Sequence, residues 1–336
     1  MGQPTIKDIA VRAGVSRSTV SRVLSGHSKV SPDKQAVVLK VVKDMSYRPS
    51  PIARSLATGY SSTIHVIVAD IRNPVYSQVI RGAEDKAREK GITVVVGNTD
   101  DIEEREIEYL RIAKEHKVMG IILVSTMAGK QLKQTLQTVE RPLVLVNRTI
   151  PGFVADTVTV DNELGAYQAT RHLIDLGHKR IFHLAGIELS SASQGRLRGF
   201  LRAMSEAGLS VPKEAIVHGD LRLESGEAIG NRLIQEGLKY TAVFAANDLM
   251  AIGLMAAFLE NNLKIPEDIS IIGFDDMDLS RLRPIQLSTV SQPQYEMGKT
   301  AVRFLCDRIE EPETEYRNMV FNTRLVLRKT CSPLNT

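Results

Sequence analysis

Cysteine is nearly missing from this chain: Cys306 and Cys331 are the only two in 336 residues. Neither sits in a CxxC pair or beside a histidine pattern, which points to a reducing compartment and away from a metal site. His172, His178 and His183 lie close in sequence, but spacings of six and five keep them off a common helical face, so they read as structural. No stretch approaches eighteen consecutive apolar residues, and the N-terminus is polar and basic. Neither a membrane span nor a secretory signal is therefore expected. Also lacking are a GxxxxGK[ST] phosphate loop, a GxGxxG after a strand and a GxSxG elbow, which removes the common enzyme signatures of α/β scaffolds. The last scarcity is local. Residues 1–60 carry ten Lys/Arg against three acids, a net of +7, whereas the whole chain is +4 and its other 276 residues sum to −3. The entire basic excess is N-terminal, as a nucleic-acid footprint would be.

That basic segment is patterned. In TIKDIAVRAGVSRSTVSRVL (5–24), Thr5 is placed to cap a helix, with Asp8 three residues on. Ile6, Ile9 and Ala10 make one apolar face, and Gly14 stands where a helix end wants positive φ. Ser16 is placed to cap a second helix that buries Val20, Val23 and Leu24. Its outward side chains are Arg17, Ser18, Thr19, Ser21 and Arg22, types that bond base edges and phosphates at an N-terminus already favourable to anions. A generic αα-hairpin is the plain alternative. Against it, Ser31-Pro32-Asp33 starts a third helix through Val37, Val38, Val41, Val42 and Met45. The expected head is a helix-turn-helix with its second helix in the major groove.

At this length two or three domains are expected. Pro49 and Pro51 end the third helix, and Ile52–Ala57 is too short to hold a helix alone in water. It reads as a linker, or as one that becomes helical on DNA. From Ile64 onward, apolar runs such as ITVVVGN, GIILVS and RPLVLVN alternate with amphipathic helices. Continuous apolar runs fit parallel strands covered on both faces, hence a doubly wound α/β sheet. IRGAEDKAREKGITV (80–94) also aligns without gaps on LRGFLRAMSEAGLSV (197–211), sharing Arg81/Arg198, Gly82/Gly199 and Gly91/Gly208. Two similar lobes follow from this repeat, with a cleft at their strand ends. The expected division is a head at 1–48, a hinge at 49–62 and a core at 63–336. Within the core, lobe one covers about 63–160 and 291–323, and lobe two about 161–290.

With these motifs in place, the chain resembles the lactose-repressor (LacI/GalR) family of bacterial transcription regulators. The resemblance rests on TIKDIA, AGVSRSTVSRVL, VSPDKQAVVLKVVKDMSYRP, ARSLAT, DIRNPVYSQVIRGAED, RLRGF, AANDLMAIG and PEDISIIGFDD, and so spans nearly the whole chain. It implies a periplasmic-binding-protein-like core, a homodimer (a tetramer in some members), a pseudo-palindromic operator on double-stranded DNA and a cytoplasmic, nucleoid-associated location. It also implies a small effector, with no cofactor. The implied DNA surface comprises Thr5, Ser16, Arg17, Ser18, Thr19, Ser21, Arg22, Ser31, Tyr47, Ser50, Ala53, Arg54 and Leu56. Arg17, Ser18 and Arg22 would read bases, and Leu56 would wedge into the minor groove. Ser50 departs from the family's usual asparagine.

The implied effector residues are Asp70, Asn73 and Tyr76 after the first strand, Asp161 after Val160, and Arg196, Leu221, Asn247, Asp248 and Asp275 from the second lobe, with Gln292 on the returning segment. Carboxylates, amides and an arginine at strand ends suit vicinal hydroxyls, and Arg196 has no evident sequence partner, so it is assigned to clamp the ligand. Leu221 stands where some members stack an aromatic ring, which favours a sugar or sugar acid over a planar base. Asp248 and Asn247 have a plainer reading as helix caps, and Asp275 as a turn residue. Two other classes remain open: a sugar-binding receptor, which would need a secretory signal and no basic head, and an α/β enzyme, which would need a catalytic motif.

Overall fold

The computed structural model describes residues 4–24, 30–45, 47, 60–127 and 129–334. The chain forms two compact units that divide between Ser62 and Thr63. In the first, local chemistry sets the helix ends. Thr5 and Asp8 form a reciprocal capping box at the start of α1 (Ile6–Ala13), and Gly14 ends it at φ 64°. Ser16 Oγ accepts from Thr19 N at 3.1 Å and so caps α2 (Arg17–Leu24). Pro32 opens α3 (Pro32–Asp44), but Ser31 makes no side-chain cap there, contrary to expectation. Ile9, Ala10, Val20, Val38 and Val41 close a small core. Val37 lies one residue off that stripe and is 47% exposed, so it does not join the face assigned to it.

The second unit has two parallel sheets. Lobe one contains β1 (Thr63–Val68), β2 (Thr93–Asn98), β3 (Gly120–Val124), β4 (Leu143–Val146), β5 (Asp156–Val160) and β11 (Asn318–Phe321). Their order is β11-β5-β4-β3-β1-β2, with every pairing parallel. Lobe two contains β6 (Ile181–Ala185), β7 (Ile216–His218), β8 (Ala242–Ala245) and β9 (Ser270–Ile272), ordered β7-β6-β8-β9. Helices α4 (Pro74–Glu89), α5 (Glu103–Glu115) and α6 (Lys130–Leu136) flank the first sheet. Helices α7 (Asn162–Asp175), α8 (Ser191–Glu206), α9 (Leu223–Gln235) and α10 (Asp248–Glu260) flank the second, and α11 (Gln294–Glu310) returns to the first.

Three segments join the lobes: β5 into α7, β10 (Thr289–Ser291) into α11, and β11 into β12 (Arg324–Val326), which pairs antiparallel with β10. The chain then runs back along lobe two, where Ile271 N donates to Thr330 O at 2.7 Å and Leu334 N to Leu176 O at 2.8 Å. The sequence reading placed no lobe boundary for this last stretch.

Most strands are covered on both faces, but ITVVVGN is not. It forms β2, the sheet's edge, and leaves Val95 43% and Val96 37% exposed. In the repeat, both helices end ahead of a left-handed glycine, Gly91 at φ 67° and Gly208 at φ 69°. The copies then diverge. The first enters β2 at once, whereas the second passes through a 3₁₀ turn, Lys213–Ala215, before β7.

Candidate functional site

In the first unit, burial of Val20 turns the opposite side of α2 outward. Arg17, Ser18 and Arg22 are exposed there, and Thr19 and Ser21 half-exposed. Ser16 Oγ lies 2.8 Å from both Ser18 Oγ and Thr19 Oγ1, so the first turn carries a linked row of hydroxyls beside two guanidinium groups. Thr5 is exposed while its hydroxyl donates to Asp8, which holds the Asp8 carboxyl below its usual range. Ser31 is exposed, and Tyr47 is half-buried against the helical core. Ser50, Ala53, Arg54 and Leu56 lie outside the described residues.

In the second unit, the loops after the strands of both lobes enclose a cleft. Its outer compartment is about 180 Å³ and its inner one about 20 Å³, and Asn73, Tyr76 and Leu221 line both. Lobe one gives the outer part Asp70, Arg72 and Asp101, and lobe two gives it Asp220, Arg222 and Glu224. Asp70 accepts from Arg72 Nε and Nη2 at 2.9 and 2.7 Å, and these bonds hold its carboxyl below the usual range. Across the mouth, Arg222 Nε reaches Asp70 at 3.3 Å.

The inner part is more deeply buried. Arg196, set within α8, donates from Nε to Asn162 Oδ1 at 2.8 Å and from Nη1 to the Ala246 carbonyl. Its Nη2 is 3.7 Å from Asp275 Oδ1, and its guanidinium lies 3.8 Å over the Phe274 ring. Asp275 receives Gln292 Nε2 at 2.6 Å, and burial raises its carboxyl above the usual range against the opposing pull of Arg196. Tyr76 is also buried, which raises its hydroxyl. Asn73 and Asn247 each accept from a backbone N–H as helix caps while lining the cleft, and Asn247 Nδ2 donates to Leu221 O at 2.8 Å.

Three expected effector residues do not reach this space. Asp161 caps α7 by accepting from Leu164 N at 2.8 Å. Asp248 is fully buried and satisfied by Met277 N, Ser280 Oγ and Thr289 Oγ1; the helix-cap reading holds for Asn247, which caps α10, and not for Asp248. Gln292 spends its amide on Asp275. Arg196 lines the cleft but has partners on three sides, so its apparent lack of one in sequence was misleading.

The structure adds residues that the sequence reading did not single out. Asn147 and Arg148 follow β4, and Ser190 and Ser193 sit at the start of α8. Arg148 is 1% exposed; its Nη1 donates to Asp101 Oδ1 at 3.0 Å and Ser125 O at 2.8 Å. Its Nη2 and Asn147 Oδ1 are buried without a partner among the described residues. Ser125, Asn147, Leu221 and Asp275 hold left-handed φ values of 62°, 70°, 68° and 126°. Strained non-glycine backbone of this kind gathers at binding sites.

Residues 5–50 match the family described as bacterial regulatory proteins, lacI family, and residues 170–331 match the periplasmic binding protein-like domain. The HTH-type transcriptional repressor PurR of Photobacterium profundum is 36% identical over 332 residues, covering 98% of this chain and 99% of that protein. The chain belongs to the LacI family. Among solved structures, the lac repressor dimer bound to operator and the anti-inducer ONPF superposes with a TM-score of 0.83 at 27% identity, covering 98% of this chain and 100% of that one. The regulator CelR in complex with cellobiose superposes at 0.73 with 30% identity, covering 97% and 99%. As a LacI-family protein, this chain is a DNA-binding transcriptional regulator, and α1–α2 is its helix-turn-helix. No helix among the described residues is long and apolar enough to cross a membrane.

Proposed function

We propose that this LacI-family chain acts in the bacterial cytoplasm as a homodimeric repressor, whose affinity for a pseudo-palindromic operator is set by a small polyhydroxylated effector in the inter-lobe cleft. One observation carries the reading: the same chain presents Arg17, Ser18 and Arg22 on a capped, anchored helix and encloses a polar cleft at the strand ends of its core. The cleft is a recognition site, with amides, carboxylates and guanidinium groups that match hydroxyls, and no catalytic step is assigned to it. CelR with cellobiose and the lac repressor on its operator supply the two halves of the analogy. A second copy is supported by the β2 edge, where Val95 and Val96 are exposed and Ile80, Ile92, Val94 and Val96, together with Glu84, Arg88 and Thr93, line a groove of mixed polarity and about 330 Å³.

The test is binding to an operator selected from random duplexes. If each head neutralises three to four phosphates, a dimer contacts about 6–8, and log K falls with log salt at a slope of about −5 to −7. Arg22→Ala costs about 1–3 kcal/mol on the selected site and far less on random DNA. A slope shallower than about −2, or equal losses on both DNAs, rejects α2 as the reading helix.

A further inference from the structure

The inner end of the cleft has an electrostatic character that the proposed reading does not use. Three helix N-termini converge on it: α4 through Val75 and Tyr76, α8 through Ala192 and Ser193, and α10 through its cap Asn247. Each helix has at least thirteen residues, and each N-terminus carries a partial positive charge. Two buried guanidinium groups face the same space, Arg148 from lobe one and Arg196 from lobe two. Arg148 is balanced on Nη1 by Asp101, and Arg196 by Asp275 at the longer distance of 3.7 Å. The first turns of α4 and α8 hold no acidic residue, while α10 opens on Asp248, whose carboxylate is taken up by Met277 N, Ser280 Oγ and Thr289 Oγ1.

Two atoms mark where a ligand bonds. Arg148 Nη2 is a buried donor with no partner among the described residues, and Asn147 Oδ1 is a buried acceptor in the same state. They belong to adjacent residues, and both line the inner compartment. A buried polar atom left unpaired is costly, so such a pair is kept for a group that supplies an acceptor and a donor side by side. The outer compartment has the opposite character, with Asp70, Asp101, Asp220 and Glu224 against Arg72 and Arg222.

The geometry points to a polyhydroxy carboxylate as the effector, its carboxylate on Arg148 Nη2 under the helix N-termini, the neighbouring hydroxyl on Asn147 Oδ1 and its remaining hydroxyls among the outer carboxylates. This rests on the cleft being the effector site. The inner compartment, at about 20 Å³, has room for no more than about one water, so such a ligand enters by parting the lobes.

The experiment is thermal unfolding of the full chain with D-gluconate, D-galacturonate, D-glucose, D-galactose or glucose 6-phosphate. At least one of the two acids raises Tm by about 5 °C at a hundredfold excess over its Kd, and its neutral counterpart does not. Arg148→Gln abolishes the shift. Because that change also strips Asp101 of its partner, Asn147→Asp is the second variant. Aspartate tolerates the left-handed backbone of Asn147, and its charge opposes the carboxylate, so the Kd for the acid rises at least about 10-fold. Stabilisation by the neutral sugars alone, by the phosphate alone or by none of the five overturns the inference. So does acid binding undiminished by Asn147→Asp. Each of these outcomes leaves the operator measurements untouched, so a failure here is distinct from failure of the regulator reading.

Discussion

Glu106 is a carboxylate on α5 with 2% exposure, and it holds the loop that holds Arg148. It accepts from Met127 N at 3.0 Å and Thr126 Oγ1 at 3.0 Å, next to the Ser125 carbonyl on which Arg148 Nη1 rests. Burial outweighs these bonds and the nearby Arg148, so its carboxyl rises from the ordinary 4.5 to about 7. A carboxyl raised by folding contributes stability that is complete below its unfolded pKa and is lost as pH climbs through the folded one. Its contribution therefore fades between about pH 4.5 and 7, by at most about 3 kcal/mol for a shift of this size. Glu106→Gln keeps an acceptor without the charge, so its Tm should gain on the native chain's as pH rises from 5 to 7.5. A Tm difference that stays flat over that range would place Glu106 in a wetter site than its burial indicates. Why such residues were not legible follows from their chemistry. Glu106 lies in an acidic helical stretch, EEREIEYL, and reads there as one more solvated charge. Asn147 and Arg148 directly follow an apolar strand, as Asp70 nearly does, but their role shows only once Ser125 and Asp101 are seen to fix them. Asp70, Asn73, Tyr76, Leu221, Asn247 and Asp275, which line the cleft, were legible because family motifs mark them, while Asp248, marked in the same way, lies outside the cleft lining and bonds to Met277, Ser280 and Thr289.

At the scale of elements, three helix pairs carry the core: α4 with α11, α7 with α8, and α9 with α10. Glycine makes their close approach possible. A Cβ on Gly82 would stand 1.9 Å from Tyr295 O, and one on Gly298 would stand 2.0 Å from Val79 O, so these two residues interlock α4 and α11. Gly226 and Gly253 do the same for α9 and α10, at 2.2 Å from Met250 O and 2.1 Å from Leu223 O. Gly82→Ala gains about 1 kcal/mol of helix propensity but forces two backbones apart, an overpacking cost of about 1–3 kcal/mol or more. The cost wins, so Gly82→Ala should lower the core's Tm in calorimetry; a raised Tm would mean the helices have slack. The repeat made Gly82 visible in sequence, but not its reason, because the partner Gly298 is more than two hundred residues away. Helix starts were legible wherever a cap or proline acts locally, as at Thr5, Ser16 and Pro32. The edge position of β2 was not, since an apolar run has the same composition in a sheet's centre and at its rim.

At the scale of the whole core, closure of the cleft rests on three joining segments and on few direct bonds between lobes. Thr149 N donates to Ser191 Oγ at 2.8 Å, and Arg222 pairs with Asp70 at 3.3 Å across the mouth. Met277 of lobe two is buried in the core of lobe one and acts nearer the pivot. On the proposed function, an effector acts by its differential affinity for closed and open lobes, and a small margin between the two states is the one it shifts most readily. The Arg222–Asp70 pair is the right size to set that margin. The Arg222 side chain is 36% exposed, and such pairs contribute about 0–1 kcal/mol after screening. Arg222→Ala should thus shift the closed-to-open ratio by no more than about fivefold, towards open, and added salt should shift the native chain in the same direction. Arg72 keeps its own bonds to Asp70, so the variant leaves no bare carboxylate behind. Spin labels on exposed Glu104 of lobe one and Glu236 of lobe two, in a background without native cysteines, report the distance distribution by pulsed electron resonance. A broader, longer distribution in Arg222→Ala at low salt, converging with the native chain at high salt, is the expected result. Identical distributions at every salt concentration would assign closure to the Thr149–Ser191 bond, the Met277 contact and the joining segments, and leave the charge pair at the mouth without a part in it.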